Sequence, residues 1–446
     1  MFVLMKRKDT AMALKIESSD KKFSVLGGLA ALSELLKRTG LEKSLIADLP
    51  QTKRSWDKFE ALALGFCAGA QCLEDMDELC EDPIFEHSVR GRLYESKTYG
   101  NYLRSFEQVD IHEINKKLTS FAFSLRNQKL VDPDEELVFD IDSTLCRQYA
   151  EKMEGVELGY QKFPCLHVLK VFDEFGFQYY HDVRKGNSHT SENISGVIHS
   201  LMSNLPPTIK RSKITARVDA GYCNQHFVNA CFSKGISYVM GFRKGENFCS
   251  IASNVRDWQS SSLKFYDGRE CEVGSTNYKM SGCAQRSRIV IIRAKKKVAD
   301  GYEGGLFDGE FEDYDYFAFA TNISETKMND EDLIKFYRKR GNGENFIRES
   351  KYGFDLKHYP CLKLLANKAY GLIGGFAYNL MRILAYASKD KKGPVHFSKR
   401  TRRKLIFLAC QVVGHGREVI IRYSKRVYGR VEDLMRKISS LEFGFV

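Results

Sequence analysis

Residues 334–351 read IKFYRKRGNGENFIRESK, and within them Tyr337, Arg340, Glu344 and Lys351 follow one another at intervals of three, four and seven. On a single helix these intervals place all four side chains on one flank. A carboxylate held between cations suits work on phosphates, because the acid can hold a metal ion while the cations hold the polyanion. The plain alternative is a charged surface helix, since a lone glutamate on a helix is nearly always solvated. Which reading applies depends on whether other acids meet Glu344.

Two upstream stretches supply them. LVFDIDSTLC, residues 137–146, reads as a buried strand ending in acids, and strand alternation puts Asp140 and Asp142 on one face. TARVD, residues 215–219, is a second strand that closes on Asp219 before a glycine-containing turn. Taken singly, an aspartate at a strand end is more often a cap or turn residue than a ligand. Their weight comes from order, topology and the cations around Glu344. Three carboxylates from separate elements would enclose two hard divalent cations, Mg²⁺ or Mn²⁺ in its place, which favour oxygen ligands. Two such ions about 3.5–4 Å apart stabilise the attacking and leaving oxygens of an in-line phosphoryl displacement.

A rival reading uses the same strand. Phe139-Asp140-Ile141-Asp142-Ser143-Thr144-Leu145 also looks like the first motif of haloacid-dehalogenase-type phosphatases. There Asp140 would be a covalent nucleophile and Asp142 a general acid/base. Against it, the next elements read as a β-hairpin around Asp173-Glu174-Phe175-Gly176, and no late acidic pair follows.

The remaining chain reads as α/β. Of 446 residues, 1–132 read as a helical N-terminal domain, a candidate for DNA binding, and 133–242 as the first part of a mixed-sheet core. A β-rich insertion spans 243–322, the core resumes over 323–392, and a basic helical region fills 393–446. Asn329 or Asp330 would cap the helix that opens the resumed core. The formal net charge of +12 favours a polyanionic partner. Twelve scattered cysteines without metal spacing read as reduced thiols. The opening MFVLMKRKDTAMALK lacks signal-peptide form, and the apolar stretch Cys361 to Ala387, interrupted by Lys363, Lys368 and Arg382, reads as a buried helix pair rather than a membrane span.

Several motifs together resemble a family: the DDE transposases of bacterial insertion sequences, in the branch marked by a Tyr-Arg-Glu-Lys helix. Tyr337, Arg340, Glu344 and Lys351 match at every spacing. Phe139 to Thr144 is similar to that branch's first-aspartate strand, and Arg217 to Tyr222 to its second. Arg184-Lys185-Gly186-Asn187-Ser188-His189 is similar to its Pro-Gly-Asn-x-His loop, with Lys185 in place of the proline. Ala366-Asn367 and Ala377-Tyr378-Asn379-Leu380 also match, and the resemblance runs from about residue 20 to 430.

The resemblance implies a ribonuclease-H-like core interrupted by a β-rich insertion, and cut-and-paste transposition. The protein would bind terminal inverted repeats in double-stranded DNA, pair two ends as a homodimer, hydrolyse DNA and join 3′ ends to a target. Asp142, Asp219 and Glu344 become the metal-binding triad, with Asp140 in support and Tyr337, Arg340 and Lys351 gripping phosphates. Trp258 is a candidate platform for a flipped base, with a structural tryptophan as the plainer alternative. The location implied is the bacterial cytoplasm, on the nucleoid when bound to DNA, without a membrane. A DNA-binding relative that has lost catalysis is the second hypothesis.

Further cations extend the DNA reading. Lys399, Arg400, Arg402, Arg403 and Lys404 crowd one short run, followed by Arg417, Arg422, Lys425, Arg426 and Arg430. Arg293 and Lys295 to Lys297 could serve likewise on the insertion; a solvated charged face is the ordinary alternative. Base reading falls to Lys97 to Arg104, in a helix-turn-helix-like element or a plain helical bundle.

Overall fold

The computed structural model describes residues 2–5, 11–14, 16–128, 136–150, 152–245, 247–296, 313–389, 395–415 and 418–443. Within the opening MFVLMKRKDTAMALK, residues 1, 6–10 and 15 lie outside the described residues, as do Lys297 and Arg417. The chain begins with the ribbon β1 (Phe2–Met5) and β2 (Ala11–Leu14), then β3 (Lys22–Ser24). Helices follow: α1 (Leu29–Thr39), α2 (Leu41–Leu45), α3 (Ser55–Ala68), α4 (Asp75–Cys80), α5 (Pro83–Ser88), α6 (Ser96–Arg104) and α7 (Gln108–Arg126). Their ends have local causes. Asp82 accepts from the N–H groups of Ile84 and Phe85 to start α5, and Glu107 and Asp110 cap α7 reciprocally.

Next come β4 (Leu137–Arg147), β5 (Glu157–Leu158), β6 (Pro164–Asp173), β7 (Gln178–Lys185), α8 (Ile194–Ser203), β8 (Ile214–Val218), α9 (Gln225–Lys234) and β9 (Ser237–Gly241). After these lie α10 (Phe248–Ser253), β10 (Gln259–Lys264), β11 (Glu270–Tyr278), β12 (Ser287–Lys295) and β13 (Tyr314–Thr321). The last part holds α11 (Asp330–Arg338), α12 (Gly341–Gly353), α13 (Leu364–Ala387), α14 (Ser398–Thr401), β14 (Cys410–His415), β15 (Glu418–Tyr423) and α15 (Lys425–Ser439).

One ten-stranded mixed sheet organises the molecule, in the order β10-β11-β12-β13-β9-β8-β4-β6-β5, with β7 also on β6. β8 lies parallel to β4 and to β9, and the other pairings are antiparallel. The class is α/β, as the pattern of elements predicts. The strands of residues 243–322 do not form a layer of their own, because β13 pairs onto β9 and carries β10–β12 outward in the same ladder.

The central helix is α13. It is one helix of 24 residues, not the pair expected from the sequence. The internal glycines Gly371, Gly374 and Gly375 do not break it, because tertiary packing on α3, α7 and β7 overrides their weak propensity. A Cβ at Gly371 would stand 2.4 Å from His181 Nε2, so the glycine is what lets helix and strand approach. Asn379 of α13 accepts from the N–H of Gln178 at 2.8 Å and donates to its carbonyl at 2.8 Å. Asn115 of α7 donates to the carbonyl of His181 on the same strand, β7. Side-chain amides thus satisfy backbone groups at the outer edge of β7 that no further strand reaches.

The C-terminal region is not wholly helical as expected. β14 and β15 form a hairpin, and β14 also pairs with β3 from the start of the chain. Consecutive β-branched residues in Val412-Val413 and Val419-Ile420-Ile421 drive the strands. Packing of α1 on α15 joins the two ends of the chain.

Candidate active site

The site begins where two parallel strands part. In the ladder Asp140 of β4 is the partner of Arg217 of β8. Their side chains form a closed fork, Nε to Oδ1 at 2.6 Å and Nη2 to Oδ2 at 2.8 Å, and both are 3 % exposed. Arg217 also donates to the carbonyl of Phe336 on α11. One step further β8 ends, and Asp219 enters a short 3₁₀ turn (Ala220–Tyr222), accepting from the N–H of Gly221 at 2.8 Å. β4 does not end at its acids, as read from sequence, but runs on to Arg147 against β6. Asp142 therefore projects from mid-strand into the space that β8 vacates.

The third acid arrives from a broken helix. Tyr337 lies near the end of α11, Arg340 in the link, and Glu344 and Lys351 in the first and last turns of α12. This corrects the single helix expected from the spacing. Bonds to the residue three back tighten the link: Arg340 N–H to Tyr337 at 2.9 Å, Asn342 to Lys339 at 3.0 Å, and Gly343 to Arg340 at 2.9 Å. Gly341 and Gly343 weaken helix continuation here. Gly343 also permits a close approach, since a Cβ there would stand 3.1 Å from Asp140 Cβ. The N-cap of α11 is Asn329, which accepts from Asp332 N–H at 2.8 Å.

Arg340 is the hub. Its Nη2 donates to Asp142 Oδ2 at 2.6 Å and lies 3.9 Å from Asp219 Oδ2, while Nη1 donates to Glu344 Oε1 at 2.9 Å. The three acids singled out in the sequence meet one guanidinium rather than one another. Among the described residues no group of three or more His, Cys, Asp or Glu side chains forms a ready-made metal cluster. Burial raises the pKa of Asp142 to about 6 against the pull of Arg340, with Asp219 and Glu344 adding to the rise. Burial works against the Arg340 charge, but Asp142, Tyr337, Asp219 and Glu344 outweigh it and hold its pKa up. Glu344 is the most open member, 63 % exposed.

Neighbouring groups fix the strand that carries Asp142. His167 of β6 joins Ser143 Oγ at 2.8 Å and the carbonyl of Ser188 at 2.8 Å, tying the loop 184–189 to β4. Lys170, the partner of Asp142 across the ladder, is fully buried and donates to Ser350 of α12. Lys351 donates to Thr144 Oγ1 and to the carbonyl of Leu145, each at 3.0 Å, so its ammonium clamps α12 to β4. The ring of Tyr337 packs on Phe319 at 4.6 Å, and burial raises its hydroxyl pKa to about 12.

The outlying cations divide. The Arg293 guanidinium lies 4.0 Å from the ring of Trp258 and 4.3 Å from that of Tyr314, and bonds Glu272 at 2.7 Å. Arg293 is thus committed to the fold and one face of Trp258 is covered. Arg402 is buried too, donating to the carbonyls of Cys67, Phe66 and Gly353. The expectation of a phosphate contact fails for both, because desolvated arginines are held by carbonyls, carboxylates and rings. Lys399, Arg400, Arg403 and Lys404 remain exposed. Arg400 and Lys404 join Lys389, His396, Arg430 and Lys437 around a groove of about 480 Å³. On α6, Lys97, Asn101 and Arg104 share the exposed face.

Sequence reading missed Arg217, His167 and Lys170. The signal for Arg217 was present, since an arginine inside the apolar strand ITARV needs a buried acid.

These elements define a mixed α/β protein in which an acid from mid-strand, one from a strand end and one from a helix gather around Arg340. Residues 6–441 match the family model described as transposase DDE domain group 1, and the chain belongs to that family, whose members cleave DNA and transfer strands. Members of this class generally use divalent metal ions. Among solved structures it is similar to the cryo-EM structure of the piggyBac transposase synaptic complex with hairpin DNA. That chain is 13 % identical, with 95 % of this chain and 84 % of that one covered and a TM-score of 0.39. No curated protein matches. Among the described residues, no helix is long and apolar enough to cross a membrane.

Proposed function

We propose that this protein is the transposase of an insertion sequence, cutting DNA at transposon ends and joining 3′ ends to target DNA with Asp142, Asp219 and Glu344. The observation that carries the reading is the convergence of these three carboxylates, from two strands and a helix, on Arg340. The donor set suits Mg²⁺ or Mn²⁺, because all three side chains offer hard oxygens and Glu344 faces solvent. When bound, such ions supply Lewis acidity to the attacking and leaving oxygens of a phosphodiester. The chain's own part is placement. Asp142 is held by the N–H of Ser143 at 2.8 Å and Asp219 by that of Gly221, so both acids keep fixed directions. Lys351 holds α12 against β4 and Lys170 holds it against β6, which together set the reach of Glu344.

In this reading residues 133–242 and 323–392 form a ribonuclease-H-like core, interrupted by 243–322. Residues 1–132 read the terminal repeats through the exposed face of α6, and two copies pair the ends. The groove around Arg400, Lys404 and Arg430 seats DNA backbone, whose contacts supply affinity but no sequence reading. The phosphatase alternative is disfavoured, since a nucleophile cannot act while both oxygens of Asp140 are closed by Arg217.

Asp219→Asn and Glu344→Gln should each abolish Mg²⁺-dependent cleavage of a duplex carrying the element's terminal repeat, while gel-shift affinity stays within threefold. Cleavage retained by both variants overturns the triad. No cleavage by the unaltered protein on its own flanking repeats would leave the DNA-binding relative as the better reading.

A further inference from the structure

The guanidinium of Arg340 sits where the three acids of the site would otherwise face one another. It is hydrogen-bonded to Asp142 and Glu344 and within ion-pair distance of Asp219. Three carboxylates so grouped repel, and a buried one such as Asp142 gains most from a neighbouring positive charge. We propose that Arg340 is a resident counter-cation: it holds the acids together without divalent ions, and cation binding displaces it toward a DNA phosphate. This rests on the assignment of Asp142, Asp219 and Glu344 as metal ligands.

Four observations make the seat temporary. The Arg340 Nε is buried and has no hydrogen-bond partner, so the present arrangement leaves one donor unsatisfied. Arg340 stands in the link between α11 and α12, where no continuous helix constrains it. A Cβ at the adjacent Gly341 would meet nothing within 4 Å, so the link has room to turn. Its partner Glu344 is largely exposed and can release it with little loss of packing. A divalent ion among the acids brings twice the charge of the guanidinium and repels it, and a phosphate oxygen is the matching new partner.

The order of events follows. Without DNA, an incoming cation competes with Arg340, and affinity is low. With DNA in place, the displaced guanidinium gains a phosphate, and the same cation binds more tightly. Charge neutralisation of the site and gripping of DNA are thereby coupled through one side chain.

The test measures Mn²⁺ binding to the full chain by electron paramagnetic resonance without DNA, with circular dichroism checking the fold. Arg340→Gln should bind Mn²⁺ about tenfold more tightly than the unaltered protein, and Arg340→Lys, which keeps a charge, within threefold of it. Arg340→Gln binding no more tightly overturns the proposal. A second measurement needs no variant: phenylglyoxal modification of Arg340, read by mass spectrometry, should rise as Mn²⁺ saturates. Protection that persists at saturating Mn²⁺ also overturns it, and this arm decides alone if Arg340→Gln does not fold. Asp219→Asn and Glu344→Gln separate the two levels. If neither weakens Mn²⁺ binding, the ligand assignment itself fails; if they do while Arg340→Gln gives no gain, only the role of Arg340 fails.

Discussion

Replacing Asp140 by asparagine should unfold the protein more readily, rather than leave a stable but inactive chain. Asp140 and Arg217 are each 3 % exposed, and their fork supplies two charge-assisted hydrogen bonds. Arg217 places a third on the carbonyl of Phe336, with its guanidinium 5.0 Å from that residue's ring. Removing the carboxylate charge leaves a guanidinium desolvated and unpaired, which costs about 3–5 kcal/mol. With a urea m-value of about 3 kcal/mol/M, the unfolding midpoint then falls by about 1–1.7 M. Substituting both partners, Asp140→Leu with Arg217→Met, removes the stranded charge and should regain at least half of that loss. Urea unfolding followed by far-ultraviolet circular dichroism measures all three proteins. A midpoint for Asp140→Asn within about 0.2 M of the unaltered protein, combined with loss of cleavage, would refute the structural role and return Asp140 to the chemistry.

The His167 imidazole gives a pH signature. Burial, with Arg184 adding, lowers its pKa to about 4, below an unfolded value of about 6.5. The unfolded chain then binds the proton more readily, so stability is full above pH 6.5 and falls by about 3 kcal/mol as pH drops toward 4. His167→Gln should flatten that part of the urea-midpoint profile, and an unchanged slope would refute the assignment. In the basic groove, Arg400→Glu with Lys404→Glu should weaken duplex binding and shallow the dependence of log affinity on log salt by about 0.9 per lost contact. Arg402→Ala, by contrast, should lower the unfolding midpoint and leave the salt slope unchanged, because its guanidinium faces carbonyls.

Spacing and strand order brought Asp142, Asp219 and Glu344 into view because they follow the chain's own periodicities. What stayed hidden depends on partners distant in sequence. Nothing within the run Lys399 to Lys404 says that Arg402 turns inward; the carbonyls of Phe66 and Cys67 and a π-helical turn over Arg402–Ile406 decide it. Arg293 was likewise read as a surface cation until Trp258, Tyr314 and Glu272 enclosed it. The break at Arg340 was legible in Gly341 and Gly343, yet the regular motif spacing outweighed them. The hairpin of Val412 to Ile421 was legible in its β-branched residues, but the density of arginine and lysine around it suggested helices.

The ladder from β10 to β5 gives residues 243–322 a standing that their place in the sequence conceals. Leu333 and Ile334 of α11 rest on Val239, Val290, Ile292 and Phe319, residues contributed by β9, β12 and β13. A shortened chain that skipped this segment would not merely lose an appendage. It would remove the floor on which α11 stands and bare the edge of β9, so the link bearing Arg340 would lose its support on the α11 side. The far strands are joined to those that carry the acids by an unbroken series of hydrogen-bonded neighbours, so the outer strands belong to the same scaffold as the site.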